Sequence, residues 1–229
     1  MFEEYSVTQL KKELIKYNLK SSGIKKELFD RLNKYIEENK FYLFIDIETN
    51  GLPKCKSFGN YYDPSNLEYY DNSRIIEIAY IITDDKGNVV KEICHLIKPQ
   101  NFKINNSHIH GITFEKAKSE GVNLEDVVNE LKGFLFNISK IISHNINFDI
   151  NVLLSECYRL KNEEVANKIN SITKDCTMKY GREYMNVKKY PKLIELYKFL
   201  FNKEIIQDHR ALADTILCKD CFFKMYNSK

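Results

Sequence analysis

A mixed α/β sheet covered on both faces is the fold this sequence predicts, and three patterns predict it. Residues 74–83 hold Ile75, Ile76, Ile78, Ala79, Ile81 and Ile82, an almost unbroken apolar run suited to a strand buried on both faces. Asp84-Asp85-Lys86-Gly87-Asn88 then reads as a hairpin turn, after which residues 89–97 return antiparallel. Further along, short apolar runs alternate with stretches of helical period, as strands connected through helices do.

Taken in order, the chain opens with a unit of its own, residues 1–38. Val7, Leu10, Leu14 and Tyr17 recur at helical spacing behind Ser6, a good N-cap. Ser21-Ser22-Gly23 makes a turn, and Leu28, Leu32 and Ile36 line a second helix. Two short helices bury little surface, so this is a helix-loop-helix satellite of marginal stability. The run from Tyr5 to Leu14, the run from Leu19 to Leu28, and Arg31-Leu32 together resemble the SAP motif, although Asn18 stands where a glycine is common. The resemblance implies binding of nucleic acid, usually DNA, through the start of the second helix and the loop before it. Lys20, Ser22, Lys25 and Lys26, with the free N–H groups of that helix, are then the groups that would converge on a phosphate. Nine basic residues against seven acids up to Lys40 also suit a solvated lysine face on a protein-docking module. Only Glu38-Asn39-Lys40 separates this unit from the next strand, so it is held near the body rather than tethered loosely.

The second unit, residues 41–229, begins with the buried strand Tyr42, Leu43, Phe44, Ile45 and continues as Asp46-Ile47-Glu48-Thr49-Asn50-Gly51-Leu52. Residues two apart on a strand share a face, so Asp46 and Glu48 point the same way. Two carboxylates forced together repel, and a hard divalent cation between them is the simplest remedy; a strand end with two solvated acids is the plain alternative. Residues 53–73 lack periodicity and overhang this point. Their Tyr61, Tyr62, Tyr69 and Tyr70, with Lys54 and Lys56, either stack bases or pack the loop onto the core. After the hairpin, helices are expected near 115–118 and over 124–136, the latter capped by Asn123. Residues 140–143 make a fourth strand, 147–161 a helix, 162–171 a polar connection and 172–176 a fifth strand. Helices over 193–201 and 211–226 finish the chain.

The composition bounds the function. With 229 residues and a net charge of +3, the chain suits one sizeable core plus an appendage, and its charge neither demands nor forbids nucleic acid. No run of some 18 apolar residues spans a membrane, and Met1-Phe2-Glu3-Glu4 is acidic where a signal peptide is basic, so an intracellular place, cytosol or nucleus, is expected. The six cysteines read as free thiols. Cys218-Lys219-Asp220-Cys221 lacks the second pair that a zinc site needs and lies in an apolar helical pattern, which assigns it to packing.

Two more acidic stations complete the picture. Ser143-His144-Asn145-Ile146-Asn147-Phe148-Asp149 ends a strand and opens a helix, placing Asp149 at the carboxyl end of the sheet, where ligands gather. His209-Arg210-Ala211-Leu212-Ala213-Asp214 sets a histidine at the mouth of the last helix and an acid one turn in. In order, FxDxET, HNxxFD and HxxxxD resemble the three motifs of the DEDDh exonucleases, the DnaQ-like branch of the ribonuclease H-like superfamily. His110-Gly111-Ile112-Thr113 and the strand Arg74-Ile75-Ile76-Glu77-Ile78-Ala79 are similar to that family too.

This resemblance implies a ribonuclease H-like five-stranded sheet and a 3′→5′ exonuclease that releases nucleoside monophosphates. Asp46, Glu48, Asp149 and Asp214 would hold two divalent ions, Mg²⁺ or Mn²⁺, about 4 Å apart, with His209 as general base. Thr49 would lie near the terminal sugar and Leu52 would wedge against the last base, with His110, Asn145 and Phe148 lining its pocket. Arg210 departs from the common pattern, in which an acid often follows the histidine; a cation there is expected to contact phosphate or to weaken metal binding. His95 reads as structural, and His144 as structural or functional alike. The partner is nucleic acid with a free 3′ end, DNA favoured over RNA; a trimming enzyme of RNA 3′ ends and a catalytically inactive binding protein are the alternatives. Nothing in the chain specifies a protein partner.

Overall fold

Residues 5–205 and 209–227 are described by the computed structural model, with the side chains of Lys16, Ile36 and Glu37 set aside. The readings of Met1–Glu4 and of Ile36 as a core residue lie outside that description. In chain order come α1 (Val7–Lys16), α2 (Lys25–Glu38), β1 (Phe41–Thr49), β2 (Cys55–Ser57), β3 (Asn60–Tyr61), a 3₁₀ turn (Leu67–Tyr69), β4 (Ile75–Asp84) and β5 (Val89–Leu96). There follow α3 (Ser107–His110), α4 (Phe114–Glu120), α5 (Leu124–Leu135), β6 (Ile138–Ser143), α6 (Ile146–Arg159), α7 (Glu163–Ser171), β7 (Thr173–Cys176), α8 (Thr177–Tyr184), α9 (Leu193–Phe201) and α10 (Ala211–Tyr226).

Five strands form the main sheet in the order β5-β4-β1-β6-β7. β4 pairs antiparallel with β1 and β5, while β6 runs parallel to β1 and β7, so the sheet is mixed as expected. β1 sits in its centre because its residues are buried on both faces. Leu43, Ile45 and Ile47 join Val127, Leu131, Leu153, Val165 and Ile169 from α5, α6 and α7. Tyr42 and Phe44 face the other way, into Leu196, Cys218, Cys221 and Phe222 of α9 and α10. Cys218 and Cys221 are therefore packing residues, fully buried thiols among leucine and phenylalanine.

Several elements differ from expectation, each for a local reason. Residues 163–171, read as polar connection, form α7: Val165, Ala166 and Ile169 make a narrow apolar stripe between charged residues, and the Asn162 side chain caps Val165 N–H at 3.3 Å. α8 and the β2–β3 hairpin also went unseen, because the hairpin is exposed and shows no burial alternation. Asn123 precedes α5, but its side chain accepts no backbone bond and instead donates to Asp126 Oδ2 at 3.4 Å. In residues 53–73 packing prevails: Tyr62 and Tyr69 stack at 4.0 Å, Lys56 and Lys54 lie over their rings, and the Tyr70 hydroxyl donates to the Tyr62 carbonyl. Among the described residues no helix is long and apolar enough to cross a membrane.

The N-terminal helices dock at the start of β1, away from its acidic end. Ser6 caps α1 in a capping box with Gln9, and Leu10, Leu14, Leu28 and Leu32 are all fully buried between the helices, while Val7 stays exposed. Tyr17, Tyr35 and Phe41 form a ring cluster with centroids 5.1–6.3 Å apart that joins this pair to the sheet. Aromatic contacts of this kind are worth about 1 kcal/mol each. Tyr17→Ala removes two of them, about 2 kcal/mol, so hydrogen exchange across residues 5–38 should quicken about thirtyfold while β1 and β4 amides stay protected. Equal exchange in both proteins would show that the cluster does not hold the pair in place.

Candidate active site

Alternation along β1 builds the first half of the site. Ile45 and Ile47 turn into the core, which leaves Asp46 and Glu48 on the opposite face, partly exposed and on the side of α10. α6 supplies the third acid. Asn145 adopts a left-handed conformation (φ 72°) and turns the chain off β6, so that Asp149 falls in the first helical turn. Asp149 is buried and firmly seated: Ile47 N–H donates to its Oδ1 at 3.1 Å and the Ser143 hydroxyl to its Oδ2 at 2.5 Å. Asp214, in the first turn of α10 and 6 % exposed, supplies the fourth. Asp46, Glu48 and Asp214 each place a carboxylate oxygen within 4.8 Å of the others, with Asp149 beside them on the β1 backbone.

Such crowding is costly without a counter-charge. Burial first, then the charges of Asp149, Asp214, Glu48 and Glu77, holds the Asp46 carboxyl well above the usual carboxylate range. Burial followed by Asp214, Glu77 and Asp149 pushes Glu48 up to about 8, with Arg210 opposing. Asp149 is pushed up to about 7 by burial, against its hydrogen bonds from Ser143 and Ile47. Hard oxygen donors at this spacing, short of positive charge, fit one or more divalent cations.

Positive charge does lie nearby, but it is already committed. Glu77 sits directly opposite Glu48 in the β1–β4 pairing and is 1 % exposed. Arg210 grips it with both edges, its Nε 3.1 and 3.0 Å from the two carboxylate oxygens and its Nη2 closer still, while Ala211 N–H donates to Oε2 at 2.9 Å. The Arg210 guanidinium thus neutralises a fifth carboxylate and pins the start of α10 to the sheet, and its charge is also felt at Glu48. His209 stands just before it, exposed and with φ 46°.

The other expected residues scatter around this centre. Leu52 is 77 % exposed, so it is no core residue. Phe148 is half-buried with the Tyr61 ring 6.4 Å away, and the Asn145 side chain bonds the Tyr61 hydroxyl. Thr49 is buried and donates its hydroxyl to the Gly51 carbonyl at 2.6 Å, bracing the turn. His110 is 2 % exposed; its Nδ1 accepts from Ile112 N–H at 3.1 Å, and its Nε2 lies 3.2 Å from Asn106, whose amide holds the Thr49 carbonyl. His144 is a framework residue, bonded to the Thr177 hydroxyl and the Pro191 carbonyl at 3.0 Å each, with burial lowering its pKa to about 4. His95 pairs with Glu130 at 2.7 Å, as its structural reading expected.

Residues 43–222 match the family model described as exonuclease, and residues 1–37 match the SAP domain. The chain belongs to the exonuclease family. Solved structures share its fold at low identity. A 3′-exonuclease solved for its 3′-end specific recognition of a histone mRNA stem-loop is 14 % identical with a TM-score of 0.56, over 99 % of this chain and 82 % of that one. E. coli exonuclease I with a dA16 oligonucleotide is 20 % identical with a TM-score of 0.63, over 83 % of this chain and 41 % of that one. The zinc-bound form of the exonuclease I complex with single-stranded DNA gives 16 % and 0.58, over the same shares. This chain thus spans about two fifths of exonuclease I. No curated protein sequence matches it. The resemblance to DEDDh exonucleases with an N-terminal SAP motif, and the expected ribonuclease H-like sheet, are borne out by these matches.

In the SAP unit of this exonuclease, Lys20, Ser22, Lys25 and Lys26 are all exposed. The loop between its helices is shaped by Arg31, which donates to the carbonyls of Lys20 and Ser22. Gly23 takes φ 131°, and a Cβ there would strike the Glu27 carboxylate, which already accepts from Ile24 N–H at 3.2 Å. An acid therefore occupies part of the helix start that the sequence reading reserved for phosphate.

Two outcomes follow from the crowded acids and their latch. Folding raises the pKa of Asp46, Glu48 and Asp149, so the native chain binds these protons more tightly than the unfolded one. Their contribution to metal-free stability is then fully present near pH 4 and is lost as pH rises to about 8, whereas buried His144 takes stability away as pH falls from about 6.5 towards 4. Thermal melts in chelator should show that decline, Mn²⁺ should reverse it more at pH 8 than at pH 5, and Asp46→Asn should flatten both effects. Arg210→Ala strands Glu77 as a buried charge. Because the guanidinium is 41 % exposed, the cost should be about 2 kcal/mol in urea titrations, below the 3–5 kcal/mol of fully buried pairs.

Proposed function

We propose that this exonuclease removes nucleotides one at a time from the 3′ end of a nucleic-acid strand, using divalent metal held by Asp46, Glu48, Asp149 and Asp214. The observation that carries the reading is the convergence of acids from β1, α6 and α10 at one spot, three of them with oxygens within 4.8 Å. The chemistry of the solved relatives points the same way: one recognises an RNA 3′ end and another binds single-stranded DNA, with a zinc-bound form known. Bound divalent metal, Mg²⁺ or Mn²⁺, would supply charge neutralisation at the scissile phosphate and acidify a water.

The chain's own residues do the rest. The Ser143 hydroxyl and Ile47 N–H fix Asp149 in one orientation, so that acid meets the site with little reorganisation. Arg210 and the Ala211 N–H draw the Glu77 carboxylate aside, which fixes the start of α10 and with it the approach of His209. An imidazole nitrogen of His209, on an exposed side chain just before α10, takes the proton of the attacking water. Leu52, largely exposed on the turn after β1, rests against the terminal base, with Phe148 and Asn145 on the facing wall. Thr49 and His110 act from below by bracing the turn, through Gly51 and Asn106. The SAP unit, with Lys20, Ser22, Lys25 and Lys26 outward, raises the local concentration of substrate. DNA is the favoured substrate over RNA.

A 5′-labelled oligonucleotide should shorten stepwise with Mg²⁺ or Mn²⁺, and a 3′-phosphorothioate end should resist. Asp46→Ala should cost at least about 10³-fold in rate, and His209→Ala about 10²–10⁴-fold, the usual range for a general base. Metal-loaded protein that leaves every labelled strand intact would defeat the proposal, as would shortening from the 5′ end.

A further inference from the structure

Charge in this chain is distributed unevenly. Between Thr177 and Lys192 it carries Lys179, Arg182, Lys188, Lys189 and Lys192 against Glu183 alone, a net of +4 in a protein whose total is +3. These residues occupy α8 and the turn leading into α9, and the four lysines are exposed. No ion pair involves those lysines among the described residues.

Beside this basic segment lies an aromatic step. The β2–β3 hairpin turns at Phe58-Gly59, where Gly59 takes φ 72°, and the Asn147 amide anchors the tip by donating to the Gly59 carbonyl at 2.8 Å. The anchored tip presents Phe58 to solvent, 69 % exposed, with its ring 6.1 Å from Tyr190 at an interplanar angle of 31°. Behind it the Arg182 guanidinium lies 4.4 Å over the Tyr190 ring. A cavity of about 210 Å³ opens between Phe58, Tyr190, Lys179 and the α6 start at Asn145 and Asn147. Asn145 is one helical turn from Asp149, so the aromatic step and the acids share the mouth of α6.

We infer that Phe58, Tyr190 and the lysines around them form a track for the unpaired strand behind the 3′ nucleotide, bases stacking on the rings and phosphates meeting the lysines. Stacking suits any base, since each has a π face, and cations beside rings are how sequence-independent single-strand sites are built. Arg182 keeps the Tyr190 ring in place and adds its charge beneath it. A phenylalanine held on an anchored turn with most of its surface in water meets an incoming base with little loss of freedom. The Tyr62–Tyr69 pair cannot serve this way, because its faces are taken by one another and by Lys54 and Lys56. The track rests on the exonuclease reading for its direction, but not for its ability to bind.

Fluorescence anisotropy with labelled (dT)₁₂ and (U)₁₂ in EDTA measures the track without hydrolysis. Phe58→Ala and Tyr190→Ala should each weaken binding of both strands about tenfold. Lys188→Glu with Lys189→Glu should flatten the dependence of log Kd on log salt by about 1–2. In parallel, with Mn²⁺, the loss in kcat/KM on (dT)₁₂ should exceed any loss on the p-nitrophenyl ester of thymidine monophosphate by at least about tenfold. Wild-type affinity and salt slope in all three variants would overturn the track, as would a penalty seen only with blunt duplex. Wild-type protein that hydrolyses neither substrate would instead refute the exonuclease reading, with the EDTA titrations still deciding the track.

Discussion

Repulsion between like charges is the constraint around which this molecule is arranged. Asp46 and Glu48 share a face of β1 because a strand alternates, and Asp149 and Asp214 are delivered to the same spot by the first turns of α6 and α10. Left alone, such a group keeps its protons, as the raised pKa values of Asp46, Glu48 and Asp149 record. The apolar frame holds the acids there regardless: Ile45 and Ile47 are locked into the core, and Asp149 is tied to the β1 backbone. The fold thus stores an unfavourable charge arrangement that protonation relieves and a bound divalent cation would relieve as well.

Around that centre the structure separates tasks by place. The SAP pair docks through Tyr17, Tyr35 and Phe41 at the opening of β1, whereas the acids lie towards its other end. The exposed Leu52 and the Phe58 tip belong to segments that follow β1 directly and carry little of the core. Such exposed segments can vary in length and composition while the strand holding the acids stays fixed.

How much of this was legible in the sequence depended on whether the signal was local. The acids were legible because period-two alternation is read from neighbours, and β4 because six apolar residues crowd ten positions. α7 is hard to read locally because its apolar stripe of Val165, Ala166 and Ile169 is narrow and set among polar residues. Phe58 is no easier, because one aromatic in a glycine-bearing turn carries no pattern; the five cations at 179–192 were in plain view but gained meaning only beside Tyr190 and the hairpin tip. Arg210 stands out in the sequence, but its partner does not. Its partner Glu77 lies 133 residues away, and no rule of spacing joins them.

That pair has a consequence for how such a sequence can drift. Glu77 borders Glu48 on the neighbouring strand, and in this chain its buried charge is balanced by the cation at position 210. An acid at 210 would confront Glu77 at close range, and a neutral residue at 77 would leave the arginine without its anchor. In this chain the two positions are thus coupled by electrostatics across 133 residues, so a change at one alters the setting of the other.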